Sequence, residues 1–349
     1  MMLPPPAPLV LALDSVALRN NWRLLAMRSG EATCGAAVKA NGYGLGAVEV
    51  VHHLKAVGCR DFFVATWAEA VAIRPHIGEA RLAVLHGVRE EDMAIATSLD
   101  AAPVLNSPEQ IKRWREAGGG RCHVMIDTGM NRLGLDANDV KASLFEGLDV
   151  DIAMSHLACA DEEHPLNAVQ AMIFGSLGKK TGAKRLSLAN SAGIFLGEKY
   201  MFDLTRPGLS IYGGSSCMEA EFSIQQVVRP RVQILQRRTV RGGESVGYGA
   251  TYSADRQREA AVLNIGYADG YLRGFSNSGY CTADDGSVLP VMGRVSMDLI
   301  VVDVEERKSL AEGDWVEIAF DLSQASMVSG LSQYELLTGM GSRFERRWS

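Results

Sequence analysis

Short apolar runs alternate with helical patterns through the first two-thirds of this 349-residue chain, and that alternation restricts the fold more than any other feature. The runs are Ala36–Val38, Phe62–Ala65, Leu82–Leu85, Ala102–Leu105, Cys122–Ile126, Val150–Met154 and Leu186–Ala189, with an eighth between Met201 and Tyr212. Helical stretches at Ala47–Val57, Ala68–Ile73, Glu90–Ser98, Pro108–Ala117, Asn138–Phe145 and Leu166–Leu177 separate them. Ahead of these, Asp14 caps a helix with Leu18, Trp22 and Leu25 on one face, and Gly30 ends it. Buried strands alternating with helices imply a parallel sheet covered on both sides. Eight units in about 200 residues suit an α/β fold of the (β/α)8 TIM-barrel type, although a doubly wound open sheet fits the same string. The unit count favours the barrel. So do Lys39, His86, Asn106, Asp127, His156 and Asn190, which all fall at or just after strand ends; in a barrel those ends converge on the catalytic face.

Near Glu221 the pattern changes. Val227–Gln236, Ser245–Tyr252, Ala260–Ile265, Val288–Met292 and Leu299–Val304 read as strands separated by Gly- and Asp-rich turns, with few helical runs between. The expected organisation is a barrel domain over 1–222 and a C-terminal β-rich domain over 223–349.

Lys plus Arg number 35 against 41 Asp plus Glu, a net charge of −6. That balance offers no footprint for nucleic acid or an anionic membrane surface, which leaves a small-molecule ligand as the expectation. No apolar stretch approaches the roughly 20 residues of a membrane span. The opening MMLPPPAPLVLALD lacks the basic n-region of a secretory signal. Six scattered cysteines with no C-x-x-C pair read as reduced thiols of a cytoplasmic protein, and no metal site is expected.

Lys39 ends an apolar run and is followed by Ala40-Asn41-Gly42-Tyr43-Gly44-Leu45-Gly46. A lysine so placed ordinarily snorkels to solvent. Burial would instead lower its pKa from about 10.4, and the neutral amine could form a Schiff base with an aldehyde. The glycines permit close backbone approach, and Tyr43 offers a hydroxyl. Their spacing does not match the dinucleotide fingerprint, which excludes a nicotinamide site. Arg132 and Arg206 are candidate anion or ring partners, or rim salt bridges, and Gly208 after Arg206-Pro207 could let backbone N–H groups reach a phosphate. Asp127-Thr128-Gly129 occurs once and outside an all-β chain, so it does not make an aspartic protease. His156 is equally readable as a core histidine, and Ser191 lacks the context of a nucleophile and reads as a hydrogen-bond donor. Tyr248, Tyr252, Tyr267 and Tyr271 lie among glycines, where strand-edge packing explains most tyrosines.

Together these segments resemble the alanine racemase family, fold-type III pyridoxal-phosphate enzymes, from near Leu13 to the C-terminus. The matching motifs are Ala-Val-Lys-Ala-Asn-Gly-Tyr-Gly (37–44), Asp-Thr-Gly-Met-Asn-Arg-Leu-Gly (127–134), Ser-His-Leu-Ala-Cys-Ala-Asp (155–161), Asn-Ser-Ala-Gly (190–193), Arg-Pro-Gly (206–208) and Tyr-Gly (212–213). The second half adds Val-Gly-Tyr-Gly-Ala-Thr-Tyr (246–252), Gly-Tyr-Ala-Asp-Gly (266–270) and Gly-Arg-Val-Ser-Met-Asp (293–298). The resemblance implies a homodimer whose active sites are shared between subunits. It implies that Lys39 carries pyridoxal 5′-phosphate and serves as one base, with Tyr248 of the partner as the other. By the same resemblance Tyr43, Ser191, Gly208 and Leu209 contact the phosphate. Asn190 belongs to the cofactor shell, His156 lies beside the ring, and Arg206 faces its nitrogen. Arg132 and the Met297 backbone take the substrate carboxylate. The implied activity is interconversion of L- and D-alanine, to supply D-alanine for peptidoglycan or to degrade it.

Two positions depart from the pattern. Some relatives carry a carbamylated lysine where this chain has Met125, so Asn131 or a bound anion must orient Arg132. A phosphate-contacting tyrosine of relatives falls at Ser342. A racemase of broader scope (for serine, for example), another enzyme of the same fold type, or a non-catalytic cofactor-binding protein are the alternatives; the last resembles the barrel alone and is disfavoured by the second half of the chain.

Overall fold

A computed structural model describes residues 5–349 except 216, 218, 219, 221 and 222. The change of pattern near Glu221 and the domain end at 222 lie outside the described residues. The chain forms two compact units, Leu18–Gln225 and Met1–Ala17 with Gln226–Ser349.

In the first unit every expected strand is present and all neighbours run parallel. Ala36–Ala37 pairs with Asp61–Val64, then Arg81–Val84, Ala102–Leu105, Arg121–Asp127, Asp149–Met154 and Arg185–Ser187 follow in order. Leu204–Thr205 closes the ring on Thr33–Cys34, with Ala37 N donating to Pro207 O at 2.9 Å. On its other side Asp203 N donates to Leu186 O at 3.0 Å and Arg206 N to Ala189 O at 2.8 Å. The sheet is therefore a closed eight-stranded barrel. Gly35 lies between Thr33–Cys34 and Ala36–Ala37, where a Cβ would stand 2.9 Å from both Asp61 O and the Phe63 ring.

Phe63, Ala83, Val104, Met125, Ile152, Met154 and Leu204 form one buried cluster drawn from the barrel strands. Toward the strands' N-terminal ends a polar network takes over. Arg185 donates to Asp61 Oδ1 at 3.0 Å and Asp151 Oδ2 at 2.8 Å, and Arg81 grips Asp61 with two bonds of 2.7 Å. Buried His123 accepts from Ile152 N through Nδ1 at 3.2 Å.

Local chemistry explains the helices. Asp14 Oδ1 accepts from Ala17 N at 2.8 Å and starts Ser15–Arg28, as expected. Thr66 and Glu69 form a reciprocal capping box on Trp67–Ile77, and Ser107 caps Pro108–Glu116. The helix expected over Asn138–Phe145 is absent. Two 3₁₀ turns, Ala137–Asp139 and Ala142–Phe145, stand there, because Asp136 caps too early and Val140 is extended.

The second unit is β-rich, and it claims a segment that the sequence reading placed in the barrel. Leu9–Leu13 pairs antiparallel with Val228–Val240 and parallel with Glu345–Trp348, so the two ends of the chain lie in one sheet. The 13-residue strand Val228–Val240 shifts register between Ile234 and Gln236, which lets it serve Trp315–Ile318 along one part and Arg258–Leu263 along another. Tyr280–Thr282, Trp315–Ile318 and Glu345–Trp348, along with the helices Leu322–Ser329 and Gln333–Thr338, were not among the expected elements. The strand expected over Ser245–Tyr252 survives only at its ends. Gly247, Gly249 and Ala250 take φ of 74°, 71° and 47°, which forces a 3₁₀ turn at Tyr248–Ala250.

Candidate active site

Lys39 stands where the first barrel strand gives out, and the chain then turns the wrong way. Ala40, Asn41, Gly42, Tyr43 and Gly44 have φ of 53°, 55°, 62°, 54° and 85°, five consecutive left-handed residues. For a residue with a Cβ that conformation costs about 1–2 kcal/mol, so the run needs outside support. Two side chains supply it. Glu69 Oε1 accepts from Ala40 N at 2.6 Å, and Asn41 Oδ1 accepts from Ala47 N at 3.0 Å. Burial lowers the Lys39 pKa, Arg132 lowers it further, Glu69 opposes, and Arg206 adds a smaller push downward.

The same turn delivers Tyr43, whose ring stacks on Tyr212 with centroids 4.5 Å apart; the Tyr212 hydroxyl donates to Ala37 O at 2.8 Å. Gly208 has no room for a side chain because the Tyr43 hydroxyl occupies that space. Buried Ser191 accepts from Gly208 N at 3.0 Å and Ser210 N at 3.2 Å. With both acceptor positions of Ser191 Oγ taken, its proton is left to donate outward. The Gly208 N–H is engaged by Ser191 Oγ. Ser210 Oγ is buried with no hydrogen-bond partner. Asn190 caps the short helix Ser191–Phe195, its Oδ1 accepting from Gly193 N at 2.9 Å, and Leu209 is buried at the start of the next turn.

Arg206 is 7% exposed and has no carboxylate beside it among the described residues: it donates to the Ser187 hydroxyl and to Ser155 O at 2.6 Å. Burial lowers its pKa to about 10, so it remains a cation at neutral pH. The reading of Arg206 as a rim salt bridge does not hold. Burial, helped by Arg206, Arg132 and Lys39, lowers His156 to about 3 and keeps the imidazole neutral.

Arg132 sits on a loop folded around one carboxylate. Asp127 Oδ1 accepts from Gly129 N and Met130 N at 2.9 Å each, and Oδ2 from Arg132 N at 3.1 Å. Partial burial pulls the Asp127 pKa up, but backbone N–H groups of residues 129–132 outweigh it and hold the pKa below its ordinary value. Asp127 thus sets the Arg132 backbone, with Asn131 in the left-handed region at φ 55°. Met125 packs into the barrel core, where a lysine derivative would introduce a charge. The Arg132 guanidinium makes no salt bridge among the described residues.

Lys39, Tyr43, Arg132, His156, Asn190, Ser191, Arg206, Gly208 and Leu209 all belong to the barrel unit, and Tyr248 and Met297 to the other. Tyr248 is exposed on its glycine-flanked turn, and Met297 is exposed with its carbonyl accepting from Ala268 N at 3.0 Å. Ser342 is exposed. Sequence reasoning missed Glu69, Ser155 and Ser187. The spacing Thr66-x-x-Glu69, a capping-box signature, was the one signal available for Glu69.

A closed parallel barrel carrying a lysine of lowered pKa, an unneutralised arginine and a hydroxyl-lined turn at its strand ends defines a lysine-centred (β/α)8-barrel protein with a β-rich second unit. Residues 13–216 match the model of the alanine racemase N-terminal domain and 227–348 that of the C-terminal domain. The chain belongs to the alanine racemase family. It is 38% identical over 370 residues to the biosynthetic alanine racemase of Agrobacterium fabrum, covering 98% of this chain and 94% of the relative. To the catabolic alanine racemase of Mesorhizobium japonicum it is 39% identical over 358 residues, covering 97% and 93%. Among solved structures, the alanine racemase of Bartonella henselae with covalently bound pyridoxal phosphate superposes with a TM-score of 0.91 at 33% identity, covering 99% of this chain and 100% of that one. Among the described residues, no helix is long and apolar enough to cross a membrane.

Proposed function

We propose that this protein interconverts L-alanine and D-alanine, with pyridoxal 5′-phosphate carried by Lys39. The observation that carries the reading is the juxtaposition of a lysine of lowered pKa with a turn built for an anion. The residues fit the cofactor. Ser210 has a buried hydroxyl without a partner, Ser191 has a proton to donate, and the absent side chain of Gly208 leaves the Tyr43 hydroxyl at the turn. Tyr43, Ser191 and the Gly208–Leu209 turn would hold the phosphate, with Asn190 fixing the helix that presents Ser191. His156 would lie beside the ring, and Arg206 would face the ring nitrogen.

Racemisation moves a proton off one face of Cα and returns one to the other, so two acid/base groups are sufficient. When bound, pyridoxal phosphate supplies the electron sink that makes the Cα proton removable. Lys39, its pKa lowered by burial and two arginines, holds or accepts that proton on the D face. The partner subunit's Tyr248 does so on the L face. This division of labour requires a homodimer, and we place the enzyme in the cytoplasm. Arg132 and the Met297 backbone N–H bind the substrate carboxylate. Arg206 donates hydrogen bonds but holds its own protons firmly, so an acceptor facing it stays unprotonated.

Two measurements test this. D-Alanine should form from L-alanine in the presence of pyridoxal phosphate and fail to form in its absence. In Tyr248→Ala, net rates in both directions should fall together by about 10²–10⁴-fold, since the enantiomers have equal free energy. Solvent deuterium exchange at Cα should then be lost mainly from L-alanine; equal residual exchange from both enantiomers would remove Tyr248 from this role.

A further inference from the structure

Five consecutive left-handed residues immediately after the cofactor lysine form the least favourable stretch of backbone in the barrel, and one carboxylate from another β/α unit meets it. Glu69 accepts from Ala40 N through Oε1 at 2.6 Å, and through Oε2 from Ala65 N at 2.7 Å and Thr66 N at 3.1 Å. We infer that Glu69 is a positioning residue: its carboxylate ties the Lys39–Tyr43 turn to the start of the Trp67–Ile77 helix and so fixes where the Lys39 amine and the Tyr43 hydroxyl stand. The inference rests on the reading of Lys39 as the cofactor lysine.

All three partners of Glu69 are N–H donors, divided between both carboxylate oxygens. Only a group that accepts at both ends satisfies them. Glutamine keeps the shape but turns an NH₂ toward one set of donors, and aspartate is shorter by one methylene. Bonds to an ionised acceptor are also stronger than neutral ones, which matters where the backbone conformation is unfavourable. The charge has a second consequence. The groups facing Lys39 are the cations Arg132 and Arg206, neutral His156, and Glu69, whose charge alone among these raises the Lys39 pKa. Removing it should leave Lys39 titrating still lower.

The test uses the full-length apoprotein for two readouts and the holoenzyme for a third. In Glu69→Gln, amide hydrogen exchange across residues 40–44 should speed up about tenfold, and the midpoint for pH-dependent labelling of Lys39 should fall. With cofactor restored, kcat should fall about tenfold while KM stays within about twofold. Thr66→Ala is the control: it removes a cap of the same helix and should lower Tm by about 2–4 °C while leaving both Lys39-turn readouts in place. Wild-type exchange and labelling in Glu69→Gln would overturn the inference. So would Thr66→Ala shifting them equally, because Glu69 would then be no more than a helix cap. Neither apoprotein readout needs bound cofactor, so a failure to trap cofactor on Lys39 would be told apart from a failure of the clasp.

Discussion

The two ends of the barrel handle charge in opposite ways. At the floor, Arg185 and Arg81 meet Asp61 and Asp151 in direct ion pairs, and Asp61 is 2% exposed. At the mouth, Lys39, Arg132 and Arg206 gather with no ion pair among the described residues, and Arg206 is held by a hydroxyl and a carbonyl. A buried cation without a counter-ion is costly, and a group so placed marks a functional-site candidate more than a source of stability. Paired charge lies at the N-terminal ends, where such barrels keep stability, and unpaired charge at the C-terminal ends, where such barrels carry their chemistry.

Breaking the floor should show this most sharply. Arg185→Met leaves Asp151 and part of Asp61 without a partner, and should destabilise by about 3 kcal/mol in denaturant titration. Activity per folded molecule should stay within about twofold. A large kcat loss in the folded fraction would show that the two ends are not separate.

Arg206→Glu is the matching change at the mouth. A carboxylic acid can share its proton with a facing acceptor where arginine does not, which should strengthen the cofactor as an electron sink and admit side transamination. Pyruvate released per racemisation turnover should rise about tenfold, equivalent to about 1.4 kcal/mol of lost discrimination. An unchanged pyruvate yield would contradict this role for Arg206.

Histidines give the smallest effect and probe both ends at once. Burial is the main reason that His123 at the floor and His156 at the mouth each fall to about 3 in the folded protein, against about 6.5 in the unfolded chain. Their neutral forms are favoured by folding. The stability they contribute is fully present above about pH 6.5 and is lost as pH falls toward 3, where the unfolded chain binds more protons. His123→Asn, which keeps an acceptor for Ile152 N, should reduce the proton uptake on unfolding near pH 5 by about one. An unchanged uptake would mean that His123 is charged in the fold.

These contrasts also separate what the sequence discloses from what it conceals. All eight barrel strands were readable, because strands buried on both faces are near-continuous apolar runs bounded by helices. The placement of Lys39, Arg132, His156 and Arg206 at or beyond strand ends was readable because each ends or follows such a run. The floor network was not: Asp61, Asp151 and Arg185 come from three strands far apart in sequence, and each alone is an ordinary polar residue near a strand start. The turn at 40–43 was hidden for another reason. Ala40 and Tyr43 have no left-handed preference, and Glu69, which holds the turn, lies on a different β/α unit. Glu345–Trp348 escaped because its charged Glu-Arg-Arg-Trp string becomes a strand only beside Leu9–Leu13, at the other end of the chain.

The account stands on the amine of Lys39 binding an aldehyde, and borohydride reduction followed by peptide mapping tests that most directly. With pyridoxal phosphate supplied, the wild-type protein should retain a stable pyridoxyl label on the peptide containing Lys39, and Lys39→Ala should retain none there. An unlabelled wild-type protein, or a label on a different lysine, would contradict it.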